Sequence, residues 1–227
     1  MTAGQEDLEW FPETRISVLR IPVVRLLIPF LLVSAWYAAC SLVLPAEKAL
    51  ILGGFLIAYM IPPSGKESII PLGIILGIPW VLMAASVVVL DVVTGLFMIL
   101  NLDVAFRIPY LGPWIARFLA RGKEFMAERP WLARWRVPGL AFFVMLPFQG
   151  TGGTGSPLVG WMMGLRPWEI LLAISIGATV ESLFFALGSE LVWRLLLTHL
   201  GLGLVAALMI LIVVLLARRL FLPRKGG

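Results

Sequence analysis

The chain has 227 residues, 60% of them hydrophobic and 14% charged, with a formal net charge of +5 and a mean hydropathy of +0.99. Soluble domains carry roughly 45–50% apolar and ~25% charged residues, so this composition excludes a water-soluble enzyme and equally a disordered, collagenous or disulfide-rich chain. The single cysteine, Cys40, cannot form an internal disulfide, and the single histidine, His199, leaves no histidine-based metal site or Ser-His-Asp triad within one chain.

What remains is a small polytopic membrane protein with one membrane domain over residues 22–217. Residues 1–21 read as a cytoplasmic segment, because Glu6, Asp7, Glu9 and Glu13 are unlike the basic start of a signal peptide. A bilayer needs ~20 apolar residues per helix, and Leu26 to Leu44 supplies a first span without charge. Ala49 to Pro79 is too long for one helix and is broken by Pro62-Pro63-Ser64-Gly65-Lys66-Glu67-Ser68. Trp80 to Leu100 is a second span with one charge, Asp91. Residues 101–138 form a cytoplasmic connection in which Ile115, Phe118, Leu119, Phe125 and Met126 share one helical face. Its arginines lie among Trp114, Trp131 and Trp135, a setting for an interfacial helix on anionic membrane lipids and not for nucleic acid.

The second half repeats the plan. Gly139 to Leu165 is broken by a run from Pro147 through Gln149, Gly150, Thr151, Gly152, Gly153, Thr154, Gly155 and Ser156 to Pro157. Trp168 to Leu187 is a third span with Glu181 inside, and Leu200 to Ala217 a fourth, stopped by Arg218 and Arg219 at the basic cytoplasmic tail, 218–227. Each broken region leaves apolar arms of roughly 10–14 residues, the length of re-entrant segments. Proline and clustered glycine free backbone groups that survive at membrane depth only inside protein or beside water. The expected fold is all-α: about four transmembrane helices plus two re-entrant hairpins, repeat one over 22–100 and repeat two over 139–217. Two kinked spans are the alternative. Lys and Arg flank the first span, fill the connection and end the chain, which places both termini in the cytoplasm of a cell (inner) membrane and makes the hairpins enter from opposite faces. Opposed broken helices in an inverted repeat are the recurrent plan of secondary transporters.

Ionisable groups inside a bilayer are costly and point to function. Lys66 and Glu67 sit at the first break and could neutralise each other or a group from the other half; a shallow break would leave both solvated. Asp91 and Glu181 lie deeper, as candidates for proton or sodium coupling or as buried structural carboxyls. The second break offers hydroxyls (Thr151, Thr154, Ser156), the Gln149 amide and glycine backbone amides, with a helix restarting at Pro157. Such amides attract anions, although the Gly-Lys-Ser/Thr ending of a Walker loop is absent. The glycines could instead serve only close helix approach.

Gly139-Leu-Ala-Phe-Phe-Val-Met-Leu-Pro147-Phe-Gln-Gly-Thr-Gly-Gly-Thr-Gly-Ser156, followed by Gly164-Leu165, resembles the second hairpin of the small multidrug export protein family, relatives of the DedA (SNARE-associated, VTT-domain) membrane proteins. Gly65-Lys66-Glu67-Ser68-Ile69-Ile70-Pro71 stands where that family has a charged residue shortly before an Ile-Pro, and the two motifs anchor roughly Ala49 to Leu187. Gln149 replaces a proline of the family pattern, Gly153 stands where a tryptophan-containing version continues, and Glu67 lies nearer the Ile-Pro than the usual acid. The resemblance implies opposed hairpins and movement of polyprenyl phosphate or phospholipid between leaflets. On that reading Glu67, Asp91 and Glu181 couple protons or a cation, Lys66 and Arg136 balance an anionic lipid-like substrate, and the second tip holds its headgroup. A proton-coupled multidrug exporter is the alternative, and a non-transport assembly protein a further one. No enzyme activity, cofactor or metal is expected, and a homo-oligomer is left open.

Overall fold

The computed structural model describes residues 22–61, 64–107, 117, 135–147, 150–198, 205, 208–209 and 211–212. These form seven helices and no strand among the described residues: α1 (Pro22–Val43), α2 (Ala46–Tyr59), α3 (Lys66–Ile75), α4 (Trp80–Arg107), α5 (Arg136–Val144), α6 (Ser156–Met162) and α7 (Pro167–Thr198). Three stretches are long and apolar enough to cross a membrane: Val23–Val43, Trp80–Leu102 and Pro167–Thr198. The first three expected spans fall in α1, α4 and α7. The expected fourth span and His199 lie outside the described residues apart from positions 205, 208–209 and 211–212, and so does most of the expected connection; at its two ends the structure differs from the expectation, since α4 runs on past Leu100 to Arg107 and α5 already begins at Arg136. The third span does not end at Leu187 as expected. Its helix runs on to Thr198, and on it Arg194 pairs with Glu190 one turn earlier.

Both broken regions fold as two short helices that turn back on themselves. Their arms are 14 and 10 residues in the first region and 9 and 7 in the second, too short to cross a bilayer singly. At the first, Lys48 in the opening turn of α2 lies beside Gly77, just past the end of α3: a Cβ placed on Gly77 would sit 3.1 Å from Lys48 Nζ. At the second, Arg136 in the opening turn of α5 donates to the Met163 carbonyl just past α6, at 3.4 Å. Each pair is therefore antiparallel, with a mouth where the chain enters and leaves and a tip at the break.

The way each hairpin ends is written twice. Past α3, Gly77 N–H donates to Ile74 O (2.9 Å) and Ile78 N–H to Gly73 O (3.0 Å); past α6, Gly164 N–H donates to Trp161 O and Leu165 N–H to Gly160 O, both at 2.9 Å. This is the Schellman cap, which needs a left-handed residue after the helix; Gly77 has φ 82° and Gly164 φ 71°. The spacing from Gly73 to Gly160 equals that from Gly77 to Gly164 and from Trp80, where α4 starts, to Pro167, where α7 starts. Even the packing partners correspond, since a Cβ on Gly73 would strike Met83 and one on Gly160 would strike Ile170. The two broken regions thus correspond in their helix caps and close contacts.

α4 and α7 pack against each other at the centre. Ile174 lies against Gly95, while Phe185 and Ala186 join the cluster of Met83, Ala84, Val87 and Leu90, so the two helices run antiparallel. The first mouth opens at the start of α4 and the second at the start of α7, which places the mouths at opposite ends of this pair. α1 lies along α4, tied by Trp36 Nε1 donating to Ser86 Oγ (3.0 Å) and by Asn101 Nδ2 donating to the Arg25 carbonyl (3.4 Å). Asn101 breaks helical geometry there, with φ −116° and ψ 16°. Phe30, Leu31, Leu42 and Val43 of α1 are exposed, as lipid-facing apolar side chains would be.

Candidate functional site

Asp91 stands at the centre of the apolar stretch Trp80–Leu102, about 16 Å from either end at 1.5 Å per residue. It is 2% exposed, and both hairpin tips close on it. From the first, the Tyr59 hydroxyl donates to Oδ1 at 2.8 Å. From the second, the Gly153 N–H donates to the same oxygen at 3.1 Å. Lys66 Nζ forms an ion pair with Oδ2 at 2.7 Å, off the direction of a good hydrogen bond, and a second ion pair with Glu181 Oε2 of α7. Lys66 is therefore not solvated, as a shallow first break would have left it. It is 5% exposed, like Glu181, and bridges the two halves of the chain.

Local sequence explains how Lys66 arrives there. Gly65 caps α3: its N–H donates to Ser68 Oγ at 3.3 Å, and that hydroxyl donates back to the Gly65 carbonyl at 2.9 Å. The reciprocal cap starts the helix at Lys66 and points its side chain across to α4 and α7. Glu67, the next residue, is half-buried, and its carboxylate folds back over Gly65, where the amide end of α3 favours negative charge.

The second tip is held to α4 by the absence of side chains. A Cβ on Gly152 would strike the Asp91 carboxylate, and one on Gly153 would strike the Asp91 backbone carbonyl and come within 2.9 Å of Gly95 N. The tip is closed internally as well. Thr151 Oγ1 donates to Leu146 O at 2.7 Å, Ser156 Oγ donates to Gly152 O at 2.6 Å, and Gly155 lies on the Gly150 carbonyl. Thr151 and Ser156 therefore serve the tip's own backbone, whereas Thr154 is exposed. Pro157 falls in the first turn of α6, as expected of a restarting helix.

A cavity of about 350 Å³ opens where the tips meet, lined by Tyr59, Met60, Ser64, Gly65, Lys66, Glu67, Asp91, Thr94, Gly150, Gly152, Gly153, Thr154 and Glu181. Of the residues expected at a site, Lys66, Glu67, Asp91, Gly150, Gly152, Gly153, Thr154 and Glu181 are brought together. Arg136 is not: it stands at the second mouth, in a separate cavity of about 530 Å³ with Arg166 and Glu169. Gln149 lies outside the described residues. Tyr59, Met60 and Thr94 were not anticipated. Tyr59 had a visible signal, a hydroxyl at the end of an apolar arm just before the break. Tyr59→Phe should lower stability by about 1.5–3 kcal/mol, the usual worth of a hydrogen bond to a charged acceptor. Thermal unfolding of the purified protein in detergent would show it, and an unchanged midpoint would mean that the hydroxyl does not hold Asp91.

Three long apolar helices around a buried ion-paired centre define a multi-pass helical membrane protein with a polar cavity between its two halves. The family described as "Putative small multi-drug export protein" matches residues 67–184, a little over half of the chain. The chain belongs to that family, and its role is one of membrane export or transport. The matched segment runs from the first tip into the middle of α7 and contains Glu67, Asp91, the second tip and Glu181. No curated protein and no solved structure matches the chain.

Proposed function

We propose that this protein is a proton-coupled exporter of small cationic amphiphiles, and that its hairpins re-enter the bilayer from opposite faces as an inverted repeat. One observation carries the reading: Asp91 and Glu181, both lining the central cavity, share one lysine, so that two buried acids stand against one cation. A cleft with surplus charge of one sign in low-dielectric walls concentrates ions of the other. The opposite ends of the mouths and the repeated caps support the inverted repeat, and rocking of one half against the other about the tips would give alternating access. Protons would exchange at the carboxylates as the cation arrives or leaves.

Ethidium, a monovalent amphipathic cation, tests this in proteoliposomes. An acid-inside pH gradient should drive its accumulation through the protein, and Glu181→Gln should reduce uptake to the level of empty liposomes. Accumulation that is absent from wild type, or intact in Glu181→Gln, would overturn the reading.

A second reading has one observation of its own. The cavity at the second mouth holds Arg136 and Arg166 between the exposed Trp135 and Trp168. Tryptophans mark the headgroup level of a bilayer, and arginines there suit a lipid phosphate. That favours the anionic lipid substrate of DedA-type relatives, loaded from the cytoplasmic leaflet of the cell membrane. Leaflet exchange of labelled polyprenyl phosphate that is lost in Arg136→Ala would support it, and its absence in wild type would remove it.

A further inference from the structure

Resting on the exporter reading, we infer that the central cavity selects cations that carry N–H groups, protonated amines over quaternary ammonium ions, and that Asp91 Oδ2 is the oxygen that receives them. The two oxygens of this carboxylate stand in different surroundings. Oδ1 accepts from the Tyr59 hydroxyl at 2.8 Å and from the Gly153 N–H at 3.1 Å. Oδ2 is buried and accepts no hydrogen bond among the described residues. Lys66 Nζ lies 2.7 Å away as an ion-pair partner, but the well-directed hydrogen bond of that ammonium goes to Glu181 Oε2. A carboxylate oxygen has lone pairs to satisfy, and buried acceptors are rarely left unmet unless water or a ligand takes them. Asp91 lines the cavity, so an occupant of the cavity is the group placed to donate.

Lys66 does not block this. It can keep its bond to Glu181 and give up only the poorly directed pairing when another cation arrives. In the register of the matching caps Asp91 corresponds to Ala178, so the seat is built in one half only.

The rest of the wall favours the same class. Thr94 and Thr154 are on it, with hydroxyls that accept from N–H groups. Tyr59 is the one aromatic side chain among the lining residues, and its hydroxyl is committed to Asp91. Quaternary ammonium groups donate no hydrogen bond and are held in proteins by cages of aromatic faces, which these residues do not form. Glu67 lines the same cavity and attracts any cation alike, with or without N–H groups, so the discrimination falls to Asp91. Ethidium qualifies through its amino groups, which are conjugated with the ring cation.

Hexylammonium and hexyltrimethylammonium, equal in charge and chain and different in N–H groups, make the test. Each competes with ethidium for the purified protein in detergent at neutral pH, and displacement is read from ethidium fluorescence. Hexylammonium should displace ethidium at a concentration roughly ten- to a hundredfold lower, the worth of a hydrogen bond to a charged acceptor. In Asp91→Asn, which keeps the shape and leaves Lys66 with Glu181, both ions should bind more weakly and that advantage should disappear. Equal potency in wild type, or greater potency of the quaternary ion, would overturn the selection for N–H groups and leave the exporter reading standing, because ethidium still binds. An advantage kept by Asp91→Asn would overturn the assignment to Asp91. No ethidium binding to wild type would end both. The wild-type pair decides the ligand class by itself if the variant cannot be purified.

Discussion

Lys66→Met should destabilise the protein by about 3–5 kcal/mol, the cost of removing one partner from a buried ion pair and leaving the other charge uncompensated. The effect belongs at the upper end because two carboxylates, Asp91 and Glu181, lose the same cation. Desolvation of ions is expensive enough that a well-packed neutral replacement of such a cluster is often no less stable than the original. The triple variant Lys66→Met, Asp91→Asn, Glu181→Gln should therefore regain most of the lost stability while exporting nothing. Thermal unfolding in mildly alkaline detergent solution, paired with ethidium uptake, checks both halves of the expectation. A Lys66→Met protein as stable as wild type would show that the ion pairs do not hold the halves together. A triple variant that still transports would remove the charges from the mechanism.

Gly153→Ala is the second large effect. The added methyl would meet the Asp91 backbone carbonyl and lie 2.9 Å from Gly95 N, and both are backbone atoms of α4 that cannot yield without distorting the helix. The second tip must withdraw instead, losing the N–H bond to Asp91 Oδ1. Overpacking of a buried contact costs typically 1–3 kcal/mol and a hydrogen bond to a charged group roughly 1.5–3, so a loss of about 3 kcal/mol is expected. Gly54→Ala is the matched control. Gly54 is exposed on α2 with nothing within 4 Å of a new Cβ, and Ala is the better helix former by about 1 kcal/mol. The first variant should melt well below wild type and the second at or above it; equal midpoints would mean that the second tip is not seated on α4.

The two breaks were legible because they rest on local chemistry. Pro62-Pro63 and the glycine run after Pro147 cannot continue a helix whatever surrounds them, so the short arms follow from composition alone. The Schellman caps were there to read as well, as Gly77 and Gly164 at matched distances before the next helix, but hydropathy by itself shows only that the halves are alike in outline. Lys66, Asp91 and Glu181 each stand out in the sequence, because each is an ion in apolar surroundings. That one lysine would serve both acids was not legible, since Lys66 and Glu181 are 115 positions apart and nothing local links them. The roles of Thr151 and Ser156 went the other way. Their hydroxyls read as ligands for a headgroup, and they close the tip on itself, because a chain reversal this tight has carbonyls of its own to satisfy.

By itself, then, the sequence determined that this chain lives in a membrane, where its two broken regions fall, and which ions must find partners there. Those properties depend on water, lipid and backbone geometry acting over a few residues. Only the tertiary structure decided who the partners are. The packing of α4 against α7, and the glycine surfaces that let the second tip touch α4, place Tyr59, Lys66 and Gly153 around Asp91. Side chains without local preference for one another are joined there because a charge in a low-dielectric interior has no other way to be stabilised.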